Sequence, residues 1–355
     1  MKTIILAGSG HAHLEIIKSL SKRETSENQF ILISPNKDTY YSGLIPSLIA
    51  GKIEANNLTI KSAEFAEAQG IHFIQDLVQS VDQEKSSLTL AGGKILKFDL
   101  LSMNIGGEVV EMISKLNDEI VYLRPLDAFL KKWSNIQRIY GQDTSPRFIV
   151  VGGGAAAVEV ATALRIHLNN MRATSGEIHL ISKGPRLCEN YSEKVSAAII
   201  TSLIKLNISV YLNEYVEEIV SKTLNLKNGT NIEFDSIFVV TPTRPSKLLT
   251  GGIDSKLRYS NNIFAAGDAA IMTNFPRLPR SGVIAVHQGR HLAQSIRKFL
   301  EGLCPKDFII PQNQLNILIS GHKTARLVWG SFSIEGNWPF RIKNWIDERY
   351  INSFN

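Results

Sequence analysis

One pattern limits the folds open to this chain more than any other. A short apolar run, a glycine turn and a helical stretch occur in that order twice, about 140 residues apart. Thr3 to Ala7 reads as a buried strand, Gly8-Ser9-Gly10 as a tight turn, and Leu14, Ile17 and Leu20 then fall at helical spacing. Phe30 to Ser34 is the next buried strand and completes a strand–helix–strand opening. The second copy has a strand over Phe148 to Val151, a turn at Gly152-Gly153-Gly154, an alanine-rich helix over Ala156 to Leu168 and a strand over Ile178 to Ser182. Two such units imply two dinucleotides.

A pyrophosphate lies against backbone N–H groups at a helix N-terminus, and a side chain at the closest approach would block it. That is the expected reason for Gly8 and Gly10 in the first unit and for Gly152 and Gly154 in the second. Ser9, His11 and Ala12, and in the second unit Ala155 and Ala156, complete the two turns. The third glycine of such a turn normally lets helix and strand pack closely. His13 stands at that position in the first unit and Ala157 in the second, and His13 is the real departure. The ribose-binding acid expected at the end of each second strand is also missing: Ser34-Pro35 and Ser182-Lys183 stand there. Lys183 and Arg186 are either surface cations or partners of a 2′-phosphate; the second reading leans towards NADPH.

The rest of the chain supports a large α/β protein. Ile71 to Ile105 contains short strands around the turn Ala91-Gly92-Gly93-Lys94, and Pro125 to Ile139 reads as a linking helix starting near Asp127. Gly141 to Pro146 is a polar linker, Asn228-Gly229 marks a hairpin, and Asp235 to Thr241 is a further buried strand. Ile263 to Asp268 is a strand ending in a turn, Ser281 to Leu300 a long helix, and Leu315 to Ser333 a strand pair. The end is an amphipathic helix from about Pro339, with Trp338, Ile342, Trp345, Ile346, Tyr350 and Phe354 roughly on one face. The net charge of +6 is mild, with no dense basic run of the nucleic-acid kind, so no nucleic-acid partner is expected. Two cysteines with no CxxC exclude a zinc ribbon and an adjacent redox pair, and suit a reducing compartment. No metal site is expected. No signal-peptide layout and no 18-residue apolar run are present, which points to a cytoplasmic location, with peripheral contact on the cytoplasmic membrane face compatible.

Ile263-Phe264-Ala265-Ala266-Gly267-Asp268-Ala269-Ala270 resembles the second FAD signature of the pyridine nucleotide-disulfide oxidoreductases, and Leu101 to Gly106 sits where that family has an Ala-Thr-Gly turn beside FAD. Within the family the chain looks most like the branch of type II NADH dehydrogenases and sulfide:quinone oxidoreductases. More narrowly, it is similar to flavoproteins fused to selenophosphate synthetase. Gly10-His11-Ala12-His13-Leu14, Tyr41 to Pro46, Arg280 to Gly289 and Lys343 to Arg349 carry that likeness across the chain.

The resemblance implies an α/β fold with two Rossmann-like dinucleotide-binding domains, an FAD domain with an inserted NAD(P) domain, plus a small C-terminal strand–helix region. The expected division is FAD domain 1–110 and 243–308, linker helix region 111–145, NAD(P)H domain 146–242 and C-terminal region 309–355. It further implies FAD contacts from Tyr41, Ser42, Pro46, Val78, Asn104, Gly106, Gly267 and Asp268. Ser281, Gly282 and Val283 would present a positive helix end to the flavin pyrimidine. Glu159 matches a glutamate near the nicotinamide in type II dehydrogenases, or is an acid that favours the helix dipole. His287 sits near a quinone motif of the related reductases, or is a partly buried histidine without a role. Arg280 faces either phosphate or solvent. The aromatic terminal helix, with Arg341, Lys343 and Arg349, meets membrane, a homodimer partner or the protein's own core. The cysteines Cys188 and Cys304 read as inert packing thiols.

The activity so implied is electron transfer from NAD(P)H through FAD to a quinone-like acceptor. The alternatives are a flavoprotein oxidoreductase acting on a sulfur or selenium compound, or a non-catalytic FAD-binding protein.

Overall fold

The computed structural model describes residues 1–110, 118–140, 145–173, 175–276, 278–312 and 314–355. Most of the polar linker expected at Gly141 to Pro146, and the start of the linker helix region, lie outside the described residues.

Two parallel sheets organise the chain. The first has the strand order Arg258–Ser260, Ile263–Ala265, Leu100–Met103, Thr3–Ala7, Gln29–Ser34, His72–Gln75, with only the first pair antiparallel. The second, all parallel, has the order Ile120–Tyr122, Ser236–Val239, Arg147–Val151, Glu177–Ser182, Ile208–Leu212. Ile4, Ile5, Leu6 and Ala7 have no exposed surface, as expected of a strand covered on both faces. Ile263–Ala265 pairs with Leu100–Met103, so residues from both sides of the second sheet's segment complete the first sheet.

Each glycine turn feeds its helix, His11–Ser19 in one unit and Ala155–Asn170 in the other. The hairpin expected at Asn228-Gly229 joins Thr223–Leu226 to Asn231–Glu233. Smaller antiparallel sheets flank the units, and the C-terminal one differs from expectation. It has three strands, Leu315–Ile319, Ala325–Trp329 and Phe332–Gly336, where a pair was expected, because Ala325–Trp329 finds a partner on both edges. Phe332–Gly336 then runs directly into the terminal helix Asn337–Ile351, which places Pro339 inside the first turn rather than at the first helical position.

Helix Gly282–Leu300 lies against His11–Ser19 at very short range. A methyl at Gly289 would overlap the Ala12 backbone, within 2.7 Å of its Cα. Ala12 and Gly289 thus let these two helices approach closely, a contact distinct from the helix–strand packing usually given to the third glycine of the turn.

Candidate active site

The two glycine turns share a construction that the sequence shows only in part. Ser34 and Ser182 end their second strands, and each hydroxyl reaches the middle residue of its turn. Ser9 and Ser34 share a 3.1 Å hydroxyl contact, and a methyl at Gly153 would overlap the Ser182 hydroxyl. A hydroxyl thus packs under the turn at the position where a ribose acid was expected.

The expected reason for the glycines also changes. Side chains at Gly8 and Gly10 would run into Asn104, and one at Gly152 would run into Val240. These positions are bare because the chain's own atoms come close. Gly154 alone among the turn glycines faces open space, and its helix has no side-chain cap. Asn104 is a tie rather than a bystander: its amide oxygen accepts the Ala12 N–H at 3.1 Å and its nitrogen donates to Ala266 O at 3.0 Å, joining the first turn to the FAD-signature strand. Gly106 follows with left-handed φ of 77° and no atom within contact of a would-be side chain.

His13 explains itself once its neighbours are seen. It is fully buried, with Nδ1 2.6 Å from Gly8 O and Nε2 2.8 Å from Ser102 Oγ. A carbonyl accepts only, so Nδ1 carries the proton and Nε2 accepts from the serine. Burial lowers its pKa to about 4, so the ring is neutral.

A buried ionisable cluster gathers side chains from three parts of the chain. Glu159 lies beyond the first turn of Ala155–Asn170, which removes the reading of it as a dipole-favouring acid. Its Oε1 accepts the Ile319 N–H at 3.0 Å and stands 3.8 Å from Lys343 Nζ. Lys343 is 3.4 Å from Asp347 Oδ2 and donates to Gly43 O at 3.3 Å. Asp347 Oδ1 accepts the Tyr41 hydroxyl at 2.8 Å. Burial raises the pKa of Glu159 and of Asp347, and the two carboxylates together hold Lys343 above its ordinary value despite its own burial. Two acids sharing one ammonium in a poorly hydrated place make a site that readily keeps a proton.

Beside this cluster His11, Tyr41 and Tyr350 pack edge to face or tilted, with ring centroids 4.8–5.7 Å apart. His11 Nδ1 and the Tyr350 hydroxyl are buried there without partners. Gly282, at the start of its helix, lies against the same His11 ring; Ser281 caps that helix by accepting the Ile284 N–H.

Other expected residues fall as follows. Ser42 sits in the short helical turn Ser42–Leu44, and Pro46 is buried in Ile45–Ile49. Val78 is a buried strand residue, and Pro35 is exposed. Gly267 and Asp268 open a short helical turn; Gly267 N donates to Gln288 Oε1 at 2.7 Å, and Val283 is exposed. Arg280 donates to the Thr243 carbonyl instead of facing solvent. His287 is half-buried, its pKa lowered by burial and then by Arg290, with Glu15 also near; no hydrogen bond, ion pair or ring contact joins it to Glu159 among the described residues. Arg186 is not free either: its guanidinium donates to the carbonyls of Tyr191 and Glu189, while Lys183 lies over the Tyr215 ring at 6.0 Å.

Cys188 is buried, its pKa pushed up to about 12, as an inert thiol would be. Cys304 is exposed beside Lys256 Nζ at 3.3 Å, so it is not a packing thiol. No metal-binding group of side chains occurs among the described residues.

Sequence reasoning missed Lys343, Asp347 and Gln288 as site residues. A helical plot carries a signal for the first two: Pro339, Lys343, Asp347 and Ile351 form one buried i, i+4 ridge. Ranking residues by hydrophobicity hides it.

Two nucleotide-type units spliced in this order define an oxidoreductase of the two-dinucleotide class. Residues 2–289 match the family described as pyridine nucleotide-disulphide oxidoreductase, and the chain belongs to that family. It is 23% identical over 400 aligned residues to the type II NADH:quinone oxidoreductase of Staphylococcus saprophyticus, covering 99% of this chain and 95% of that one. The sulfide:quinone oxidoreductase of Aquifex aeolicus shares the fold with a TM-score of 0.85 at 16% identity, over 100% of this chain and 91% of that one. NDH2 from Plasmodium falciparum in complex with NADH does so at 0.82 and 15% identity, over 99% and 98%.

Proposed function

We propose that the protein is an FAD-dependent oxidoreductase that takes electrons from NAD(P)H and delivers them to a quinone-like acceptor. The observation that carries this reading is the meeting of Glu159, Lys343, Asp347 and Tyr41. It joins the helix of the second glycine turn, the terminal helix and the segment expected along the flavin edge. FAD bound in the first unit would supply the hydride and electron chemistry. The residues present fit it: the His11 ring, whose Nδ1 is buried without a partner, lies with its other edge against Gly282, and Gly106 leaves open space.

In this reading Gly8, Ser9, Gly10, His11, Ala12, Ser34, Asn104, Gly106, Gly267 and Asp268 hold the flavin nucleotide. The N-terminus of Gly282–Leu300 favours negative charge near it. Gly154 and the bare helix end at Ala155 and Ala156 hold the nicotinamide nucleotide's phosphates. Glu159 keeps or yields a proton at its carboxylate, and Lys343 and Asp347 set how tightly.

The outer face of the terminal helix supports a peripheral membrane contact. Trp338, Trp345 and Ile346 are 48%, 56% and 37% exposed, and Arg349 lies 5.3 Å from the Trp345 ring centre. The expected single aromatic face is split: Phe354 is buried, and the charged Lys343 and Asp347 point inwards. The helix does not seat its tryptophans on its own core, which suits an interfacial role. No helix among the described residues is long and apolar enough to cross a membrane.

Anaerobic addition of NADH and NADPH to the FAD-loaded protein tests the reading. The flavin absorbance should bleach with at least one of them and recover on addition of a soluble quinone. An oxidised flavin after both donors sinks it. The cysteines give no support to a sulfur-based route, since buried Cys188 and exposed Cys304 are not paired.

A further inference from the structure

We infer that Glu189 stands in for the missing ribose acid of the second unit and makes that site select NADH over NADPH. This rests on the reading of the unit as a nicotinamide nucleotide site.

The loop after Glu177–Ser182 is fastened at several points. Cys188, in left-handed conformation with φ 52°, donates its N–H to Gly153 O at 2.7 Å, tying the loop to the middle of the glycine turn. Arg186 donates to the carbonyls of Glu189 and Tyr191 at 3.0 and 3.2 Å and so fixes the loop's far end. Gly184 N donates to Ser182 Oγ at 3.3 Å, and Gly184 O accepts from Asn213 N at 3.0 Å, which holds the near end. Between these fastenings the exposed Glu189 carboxylate folds back over Gly184, where a methyl would overlap it. The carboxylate therefore lies two residues past the end of the second strand in space, although it is seven residues past it in sequence.

A ribose diol is bound in such units by a carboxylate at the end of the second strand. Glu189 can accept from both hydroxyls and would repel a 2′-phosphate dianion. The cations nearby are otherwise placed. The Arg186 guanidinium is engaged by carbonyls, and Lys183 and Lys227 lie over Tyr215 at 6.0 and 5.6 Å from its ring centre. This reverses the lean towards NADPH drawn from Lys183 and Arg186 in the sequence.

Calorimetric titration of the FAD-loaded protein with ADP-ribose and with 2′-phospho-ADP-ribose reads the selectivity without any redox step. The wild type should bind ADP-ribose at least about tenfold more tightly. Glu189→Gln should shrink that ratio to near one, Glu189→Asp should restore part of it, and Glu189→Arg should invert it. Glu189→Gln leaves the backbone carbonyl that holds Arg186, so the loop keeps its fastening. Equal or tighter binding of the phosphorylated ligand by the wild type overturns the inference. So does a ratio unmoved by Glu189→Gln, or no binding of either ligand. If both NADH and NADPH bleach the flavin but the titration ratio does not respond, the inference fails and the proposed function stands. If the titration behaves as stated and neither donor bleaches the flavin, the reverse holds.

Discussion

The Tyr41 hydroxyl donates to Asp347 Oδ1 at 2.8 Å across 306 residues of sequence. This bond fastens the terminal helix to the segment that follows the first strand–helix–strand opening. Through Lys343 the same helix reaches Glu159 of the second unit. The chemistry of the cluster depends on charge balance, and that balance can be tested.

Lys343→Met leaves Glu159 and Asp347 buried without their cation. Folding stability should fall by about 3–5 kcal/mol at pH 8. The loss should shrink at pH 5, because both carboxyls already have raised pKa values and protonation removes the uncompensated charge. Urea unfolding at the two pH values measures this. An equal loss at both would show that the lysine acts by packing alone.

Asp347→Asn keeps an acceptor for Tyr41 and removes a like charge from beside Glu159. The pKa of Glu159 should drop, since Asp347 is one of the causes that raise it. The acid limb of the pH profile for flavin reduction should move to lower pH. Glu159→Gln should retain bound flavin and still accept the Ile319 N–H, yet slow reduction by NAD(P)H about 100-fold, as loss of a proton-handling group does. Stopped-flow absorbance reads both variants.

His13 makes the fold sensitive to acid. The unfolded chain takes up a proton on this ring near pH 6.5, whereas the folded protein resists until about pH 4. The unfolded state thus binds more protons in that window, so stability is fully present above pH 6.5 and is lost as pH falls towards 4. His11 is shifted in the same direction, to about 4, by burial and then by Arg124. His13→Gln should reduce by about one proton the uptake linked to unfolding in this window, measured from stability against pH. An unchanged dependence would mean that the ring is not protected as described.

Trp338→Glu combined with Trp345→Glu should abolish sedimentation with anionic phospholipid vesicles and leave flavin reduction by NAD(P)H intact. Both rings are about half exposed, so no core is disturbed. Wild-type protein that stays in the supernatant at low ionic strength would count against membrane contact, and a concentration-dependent dimer lost in the double variant would assign the face to a second copy.

Gly289→Leu should abolish soluble expression or cost several kcal/mol. The added side chain meets the Ala12 backbone, which cannot swing aside as a flexible side chain does. Gly154→Ala, which points into open space, should fold normally and weaken only nucleotide binding. Thermal unfolding separates the two.

The order of the chain by itself determined the two parallel sheets and their helices. Largely apolar runs of five residues, such as Thr3–Ala7 and Arg147–Val151, followed by glycines and a helical period, are local signals, and backbone geometry turns them into strand, turn and helix with little outside help. Local pattern also exposed the anomalies at His13, Ser34 and Ser182 without explaining them. Only the tertiary structure decided what those residues do, because their partners lie tens of residues away in the chain: Ser102 for His13, Ser9 for Ser34 and Gly153 for Ser182. The terminal helix shows the limit most clearly. Its hydrophobic period left the tryptophans free to meet membrane, a partner or the core, and burying Lys343 and Asp347 is favourable only where Glu159, Tyr41 and the Gly43 carbonyl stand ready to meet them. Such electrostatic partners are set by how distant segments pack, and no window of sequence contains them.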